Sequence, residues 1–168
     1  CCSGQNKMLY YRSPKNTEII STSKFCTDEF TKHYGQEYKK FTRIDILHSS
    51  ELNDNIKKEK WNDMPVVLGN FSTDNKGRNI VQSIQERTDL FHFKSLKVHP
   101  QGKIQDFLKR KQDEYLNSDI FLQLSLTEGN SYATLDALLC GIPVVASNVG
   151  LFYNDVPEDC FVKVDWTR

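Results

Sequence analysis

The apolar positions change their spacing several times along the chain, and each change marks a predicted element. Met8 to Tyr11 and Glu18 to Ser21 are short β-rich runs, the second ending in the polar run Ser21-Thr22-Ser23. Such hydroxyls accept the first free amide hydrogens of a helix, so a helix is predicted from Lys24 to Tyr34, closed by Gly35. Thr42 to Leu47 alternates and predicts a strand. From Ser49 to Asp63 the run SSELNDNIKKEKWND is charged and poor in apolar positions, a linker or solvated helix between two units. Its basic stretch Lys57-Lys58-Glu59-Lys60 reads as a solvated face. Pro65 to Gly69 then opens a new pattern, with a polar loop through Asn75 and a helix from Gly77 to Glu86. Phe91 to Val98 reads as a strand, and Lys103 to Asn117 as a helix with Ile104, Phe107, Leu108, Tyr115 and Leu116 on one face. A strand at Asp119–Leu124, a helix at Asn130–Cys140, and strands at Pro143–Ser147 and Cys160–Asp165 complete the pattern.

Strands alternating with helices predict an α/β fold, a Rossmann-like parallel sheet with helices on both faces. Ligands of such sheets bind outside the carboxyl ends of the strands, which singles out the loops 70–76, 125–130 and 148–154. Composition narrows the function. The 22 Lys+Arg balance 22 Asp+Glu, and this neutrality excludes a general nucleic-acid binder or an anionic membrane surface as the main partner. At 168 residues the chain can bury one core, or one and a fraction, but not two full domains. The run Leu138 to Ala146, without a charged or strongly polar residue, is too short to span a bilayer, and no signal peptide is visible. Because the first residue is Cys1, the chain reads as a piece of a longer protein. Cys1, Cys2, Cys26, Cys140 and Cys160 form no CxxC pair and lie at no ligand spacing from His33, His48, His92 or His99. They read as reduced thiols of a cytoplasmic protein with no metal site. No GxGxxG follows a strand and GxxxxGK[ST] is absent, which disfavours a dehydrogenase and a P-loop ATPase. The glycosylation sequon Asn70-Phe71-Ser72 is discounted, because it falls in a loop facing a ligand.

The most informative stretch is 118–150, SDIFLQLSLTEGNSYATLDALLCGIPVVASNVG. Between Tyr132 and Cys140 only Thr134 and Asp136 are polar, so the helix is expected to be buried nearly all round and Asp136 to need a partner. Gly129 permits close approach of the backbone, and Asn130 and Ser131 offer side chains and free N–H groups suited to a phosphate. Glu128 and Asp136 stand eight positions apart, about 12 Å if helical. From spacing alone, a loop acid and a hydrogen-bonded buried acid explain the same residues, and both readings stay open.

Taken together, Ser118-Asp119-Ile120-Phe121, Ser125, Glu128-Gly129, Asp136-Ala137, Gly141, Pro143-Val144-Val145-Ala146-Ser147 and Gly150 resemble the signature of the GT-B glycosyltransferases, especially the retaining family-4 group. Val66-Val67-Leu68-Gly69 with Lys76-Gly77 is similar to the opening of that family's donor domain. Ile19 to Ser23, the helix to Gly35 and Ile44-Asp45-Ile46 are similar to the end of its acceptor domain. The resemblance implies three segments: 1–48 the tail of the acceptor domain, 49–63 the linker, and 64–168 a donor-binding domain lacking its last helices.

It further implies transfer of a sugar from a nucleotide diphosphate, UDP- or GDP-linked, to a hydroxyl of a glycan, lipid or protein, with retention and without a metal or other cofactor. Glu128 would sit by the donor sugar, Asp136 would hold the ribose, and Lys76 would neutralise the leaving diphosphate. Asn130 to Tyr132, with the Ser131 hydroxyl, would cradle the phosphates, and Gly69, Gly129 and Gly150 would border the donor. Three departures from the family pattern stand out. Asn70 replaces an arginine, with Arg78 a candidate substitute; Asp136 replaces a glutamate; and Leu151 replaces a glycine. They keep a non-catalytic nucleotide-sugar-binding module open beside the enzyme, and a GT-B-type epimerase is the third reading. Since the acceptor domain supplies part of such an active site, this piece is expected to bind donor but turn over little, and any membrane association to come from parts outside it.

Overall fold

The computed structural model describes residues 19–34, 41–43, 52, 56–96, 102–153 and 156–165. The expected strand at Met8–Tyr11, the stop at Gly35 and residues 44–47 of the third predicted strand lie outside them. The chain divides into two units, one of 1–47, 127–131 and 148–157, the other of 48–126, 132–147 and 158–168.

In the first unit, β1 (Ile19–Ser21) pairs in parallel with β2 (Phe41–Arg43), Ile20 opposite Thr42. Helix α1 (Lys24–Tyr34) begins where the hydroxyl run predicted it. Buried Ser23 accepts the Cys26 amide at 3.3 Å, and Thr27 Oγ1 donates to the Ser23 carbonyl at 3.1 Å. The first of these bonds occupies an amide that the first helical turn cannot satisfy itself, while the Ser23 carbonyl also accepts the Thr27 amide at 3.1 Å.

The second unit is a five-stranded parallel sheet in the order β4-β3-β5-β6-β7. Its elements are β3 (Val66–Gly69), α2 (Arg78–Gln85), β4 (His92–Ser95), α3 (Ile104–Leu116), β5 (Ile120–Gln123), α4 (Tyr132–Leu139), β6 (Val144–Ser147) and β7 (Val162–Val164). From β3 the chain steps to one edge at β4 and then reverses to β5, β6 and β7. Right-handed crossovers running in opposite directions place α2 on one face of the sheet and α3 with α4 on the other. The Tyr115 hydroxyl of α3 accordingly donates to the Ala133 carbonyl of α4 at 2.9 Å. Val67, Leu68, Phe121, Ala137, Ile142, Val144 and Ala146 form the core, the apolar content demanded by central strands covered on both faces.

The structure corrects four local expectations. α4 starts at Tyr132 rather than Asn130, leaving Asn130 and Ser131 in the approach to the helix. Cys160 closes a 3-10 turn and β7 begins at Val162. On α3 the buried residues are Gln112 and Tyr115, while Ile104 at the helix start is 58% exposed. The fourth concerns Lys58, whose side chain is 5% exposed and pairs with buried Asp119 at 3.2 Å. A charged run reads as solvated only until a buried carboxylate claims one of its members. Among the described residues no helix is long and apolar enough to cross a membrane.

Candidate functional site

The segment from the end of β3 to the start of α2 carries four of the expected residues, Gly69, Asn70, Lys76 and Arg78. The Gly69 carbonyl accepts the Leu96 amide at 2.7 Å, and Asn70 follows, exposed, its Oδ1 accepting the Ser72 amide at 3.4 Å. Asp74–Lys76 form a 3-10 turn in which the Lys76 amide bonds the Thr73 carbonyl at 2.9 Å. Gly77 then joins the turn to α2 with φ +80°, and a Cβ there would lie 2.4 Å from Leu124 Cβ. Only glycine satisfies both conditions at once. The Leu126 amide bonds the Asn75 carbonyl at 2.9 Å, tying the loop after β5 to the loop after β3. Arg78, the candidate for the missing arginine's task, is held one turn back by Asp74: Nε and Nη2 both lie 3.1 Å from Oδ1.

Beside this loop a cleft of about 630 Å³ opens against α2 and the carboxyl end of β4. Asn70 and Arg78 line it, and Lys76 does not. The other walls were not anticipated as functional: Phe71 and Phe93, packed edge to face with centroids 6.4 Å apart, and the carboxamides of Gln82 and Gln85. A signal for them exists. Arg78, Val81, Gln82 and Gln85 recur at i, i+3, i+4 and i+7, the spacing of a single helical face.

Asp136 lies in the second turn of α4 with its side chain 1% exposed. Its Oδ2 is 2.5 Å from Nζ of Lys111 on α3, which is 25% exposed. The expected need for a partner is therefore met by a lysine that no motif singles out. Burial, then the Asp136 charge, raises the Tyr115 hydroxyl far above its usual range. The same two causes push the Cys140 thiol up to about 11. Cys26, Cys140 and Cys160 are free thiols.

The remaining expected residues gather within the first unit, apart from Tyr132, which is exposed at the start of α4. Gly150 has φ +62°, and a Cβ there would come within 2.9 Å of Glu128 Cβ and 3.0 Å of the Gly129 carbonyl. The loop 127–131 and the 3-10 turn Gly150–Tyr153 therefore pass each other at backbone distance. Turned to suit its neighbours, the Asn130 amide donates to the Thr22 carbonyl at 3.1 Å and the Gly129 carbonyl at 2.9 Å. Tyr153 packs its ring on Phe25, centroids 5.7 Å apart, with Lys24 Nζ 5.5 Å above it. Ser131 is buried and Glu128 half-buried. Two groups of expected residues are thus assembled, one in each unit: Gly69, Asn70, Lys76 and Arg78, and Glu128, Gly129, Asn130 and Gly150.

The profile of the family described as glycosyl transferases group 1 matches residues 65–162. The chain belongs to that family. It is 26% identical over 172 residues to a subunit of human phosphatidylinositol N-acetylglucosaminyltransferase, and the match covers 95% of this chain and 33% of that protein. Among solved structures it is similar to sucrose-phosphate synthase from Thermosynechococcus elongatus, with TM-score 0.70 and 17% identity over 97% of this chain and 49% of that one. It is also similar to the pneumococcal O-GlcNAc transferase GtfA in complex with UDP and GlcNAc, with TM-score 0.50 and 13% identity over 89% of this chain and 34% of that one. This glycosyl transferases group 1 chain thus spans a third of the curated relative's length, and half or less of the similar structures. The GT-B resemblance and the Rossmann-like parallel fold expected from the sequence are both borne out.

Proposed function

We propose that this chain is the donor-side part of a retaining, metal-independent glycosyltransferase that takes its sugar from a nucleotide diphosphate. The cleft at the carboxyl ends of β3 and β4 carries the reading: it joins a guanidinium, carboxamides and two aromatic rings where an open α/β sheet receives ligands. Charge develops on the departing diphosphate, and a fixed cation stabilises it where no metal does so. Lys76 and Arg78 fill that role in the proposal, with the amides of Asn130 to Tyr132 at the opening of α4 and Gly69 and Asn70 bordering the phosphates. Glu128 attends the donor sugar, held in place by Gly129 and Gly150, while Asp136 acts on the ribose side as part of its pair with Lys111.

The solved relative carrying UDP and GlcNAc supports a UDP-linked donor over a GDP-linked one. The name of the human relative favours a lipid headgroup among the glycan, lipid and protein acceptors. The test is a thermal-shift titration of the chain with UDP, GDP, ADP and their sugars, since a ligand at a hundred times its Kd stabilises by about 2.7 kcal/mol. One nucleotide series is expected to raise the melting temperature, and Lys76→Ala to remove most of that rise. No response to any nucleotide at millimolar concentration overturns the reading.

A second reading, a nucleotide-sugar-binding module without turnover, is favoured by Asn70 standing where the family pattern has an arginine. Glu128→Ala separates the two. Donor hydrolysis or transfer that disappears while binding persists marks an enzyme, and binding with no turnover in either form marks the module.

A further inference from the structure

We propose that the amino end of the sheet in the second unit is a docking surface for another protein, one presenting a helix with an apolar face flanked by lysine or arginine. This end lies opposite the ligand loops, and nothing in the donor reading depends on it. Trp61, Met64, Leu90 and Phe91 are 64%, 55%, 68% and 38% exposed. Single exposed apolar side chains are ordinary, whereas several large ones in one place mark a contact surface. The strand order brings these four together. The Pro65 carbonyl accepts the His92 amide at 2.9 Å, so Met64 enters β3 beside Leu90 and Phe91, which lead into β4. Asn62 donates to both carboxylate oxygens of Asp119, the residue before β5, and so sets Trp61 at the strand start on the other side of β3. Neighbouring strands lie about 4.8 Å apart, so the three strand starts carry the surface across roughly 10 Å, the width of one helix.

Charge selects the occupant. Glu59, Asp63, Glu86 and Asp89 are exposed around the apolar side chains, against Lys60 and Arg87. None of these six forms an ion pair among the described residues. Asp63 and Asp89 directly precede Met64 and Leu90, so whatever covers the apolar groups also meets those carboxylates. A lipid surface would have to take both aspartates into its interface, and an anionic one would repel them. A second copy would set the same acidic rim against itself. A helix with leucines on one face and cations beside them gives both kinds of group a partner.

The experiment titrates the chain with two synthetic helical peptides that share a leucine face, one flanked by lysines and the other by glutamates, read by fluorescence anisotropy. The lysine peptide is expected to bind roughly tenfold more tightly, with the difference shrinking at high salt. Met64→Ser/Leu90→Ser removes two exposed side chains and should weaken that binding roughly tenfold while the melting temperature holds. Asp63→Lys/Asp89→Lys should reverse the preference between the peptides. The same reversal at exposed Asp106 and Asp113 of α3 should preserve it, which separates the rim from net charge. No binding of the lysine peptide, equal binding of both peptides, or binding that Met64→Ser/Leu90→Ser leaves unchanged overturns the inference. A dimer in sedimentation equilibrium that this variant dissolves also overturns it, since the occupant would be a second copy. Flotation with phosphatidylcholine vesicles that the variant abolishes does so as well, since the occupant would be a lipid surface.

Discussion

Asp136 carries a charge inside α4, and Lys111 is what makes that tolerable. Their separation of 2.5 Å and the burial of the carboxylate make the pair one that is costly to break from one side. Lys111→Met is therefore expected to destabilise the chain by about 2 kcal/mol, discounted for the lysine's partial exposure. Urea denaturation checks it, and the double variant Lys111→Met/Asp136→Asn should cost less than the sum of the single changes. Additive costs would mean the two side chains are not coupled. Gly150 makes a different kind of demand. With φ +62° and Glu128 Cβ 2.9 Å from where a side chain would begin, Gly150→Ala should cost about 1–2 kcal/mol and displace the loop bearing Glu128. Comparing that variant's melting temperature with that of Gly102→Ala separates backbone strain from steric displacement. Gly102 has φ +78° and nothing within 4 Å of its added Cβ, so only the strain is shared. The requirement for a partner at Asp136 was legible, because a single acid on an apolar helix has few alternatives. Lys111 as that partner was not. It stands on another helix, and only the packing of α3 on α4 chooses it among that helix's charged residues.

At the scale of elements, the segment entering the sheet shows how a stretch read as linker becomes structure. Asp119 accepts the Asn62 amide at 2.9 Å, Asn62 Nδ2 at 2.8 Å and the Val66 amide at 2.7 Å, besides its ion pair with Lys58. The Lys58 amide bonds the Cys140 carbonyl at 3.1 Å, and Lys57 Nζ reaches the Leu139 carbonyl at the end of α4. Residues 57–66 are thereby fastened to the amino ends of β3 and β5, away from the ligand loops. Burial by itself would raise the Asp119 carboxyl, but the bonds from Val66, Asn62 and Lys58 outweigh it and hold the group at about 2, against an ordinary value of 3.8. A depressed folded value means that the contribution is complete above 3.8 and is lost as pH falls towards 2. Asp119→Asn is expected to lower the urea midpoint at pH 7, and the gap to the parent chain should close as the pH is taken to about 2. A gap that stays constant with pH would mean the carboxylate's charge plays no part. Periodicity found the described strands and helices because each needs a stripe or a run of apolar residues. It missed the fastening of 57–66, which relies on backbone amides and one buried acid and leaves no apolar period to read.

At the scale of the molecule, the strand order decides how the second unit opens. Alternating elements announced a parallel sheet, but no local pattern says that β4 lies outside β3 or that β5 is central; that follows from how the crossovers close around one core. In the order β4-β3-β5-β6-β7 the middle strand is hydrogen-bonded on both sides, and Phe121 within it is almost wholly buried. The Phe121 amide bonds the Pro143 carbonyl at 2.9 Å, so its release requires β5 and β6 to part. Both edges have less cover. β7 leaves Val162 63% exposed, and in β4 His92 is exposed while the rest is only half-buried. Backbone groups with little apolar cover open by local fluctuation, whereas those at the centre open only when the whole core does. Native-state hydrogen exchange at neutral pH should therefore rank the amides of Ile120 to Gln123 slowest, those of β3 and β6 next, and those of β4 and β7 fastest. A bound nucleotide adds a sharper expectation, because β4 is the strand that lines the cleft. Ligand should slow β4 by more than β7, although the two edges start alike. Equal slowing of both would mean that binding acts through global stability alone, and then the cleft at β4 would not be where the ligand sits.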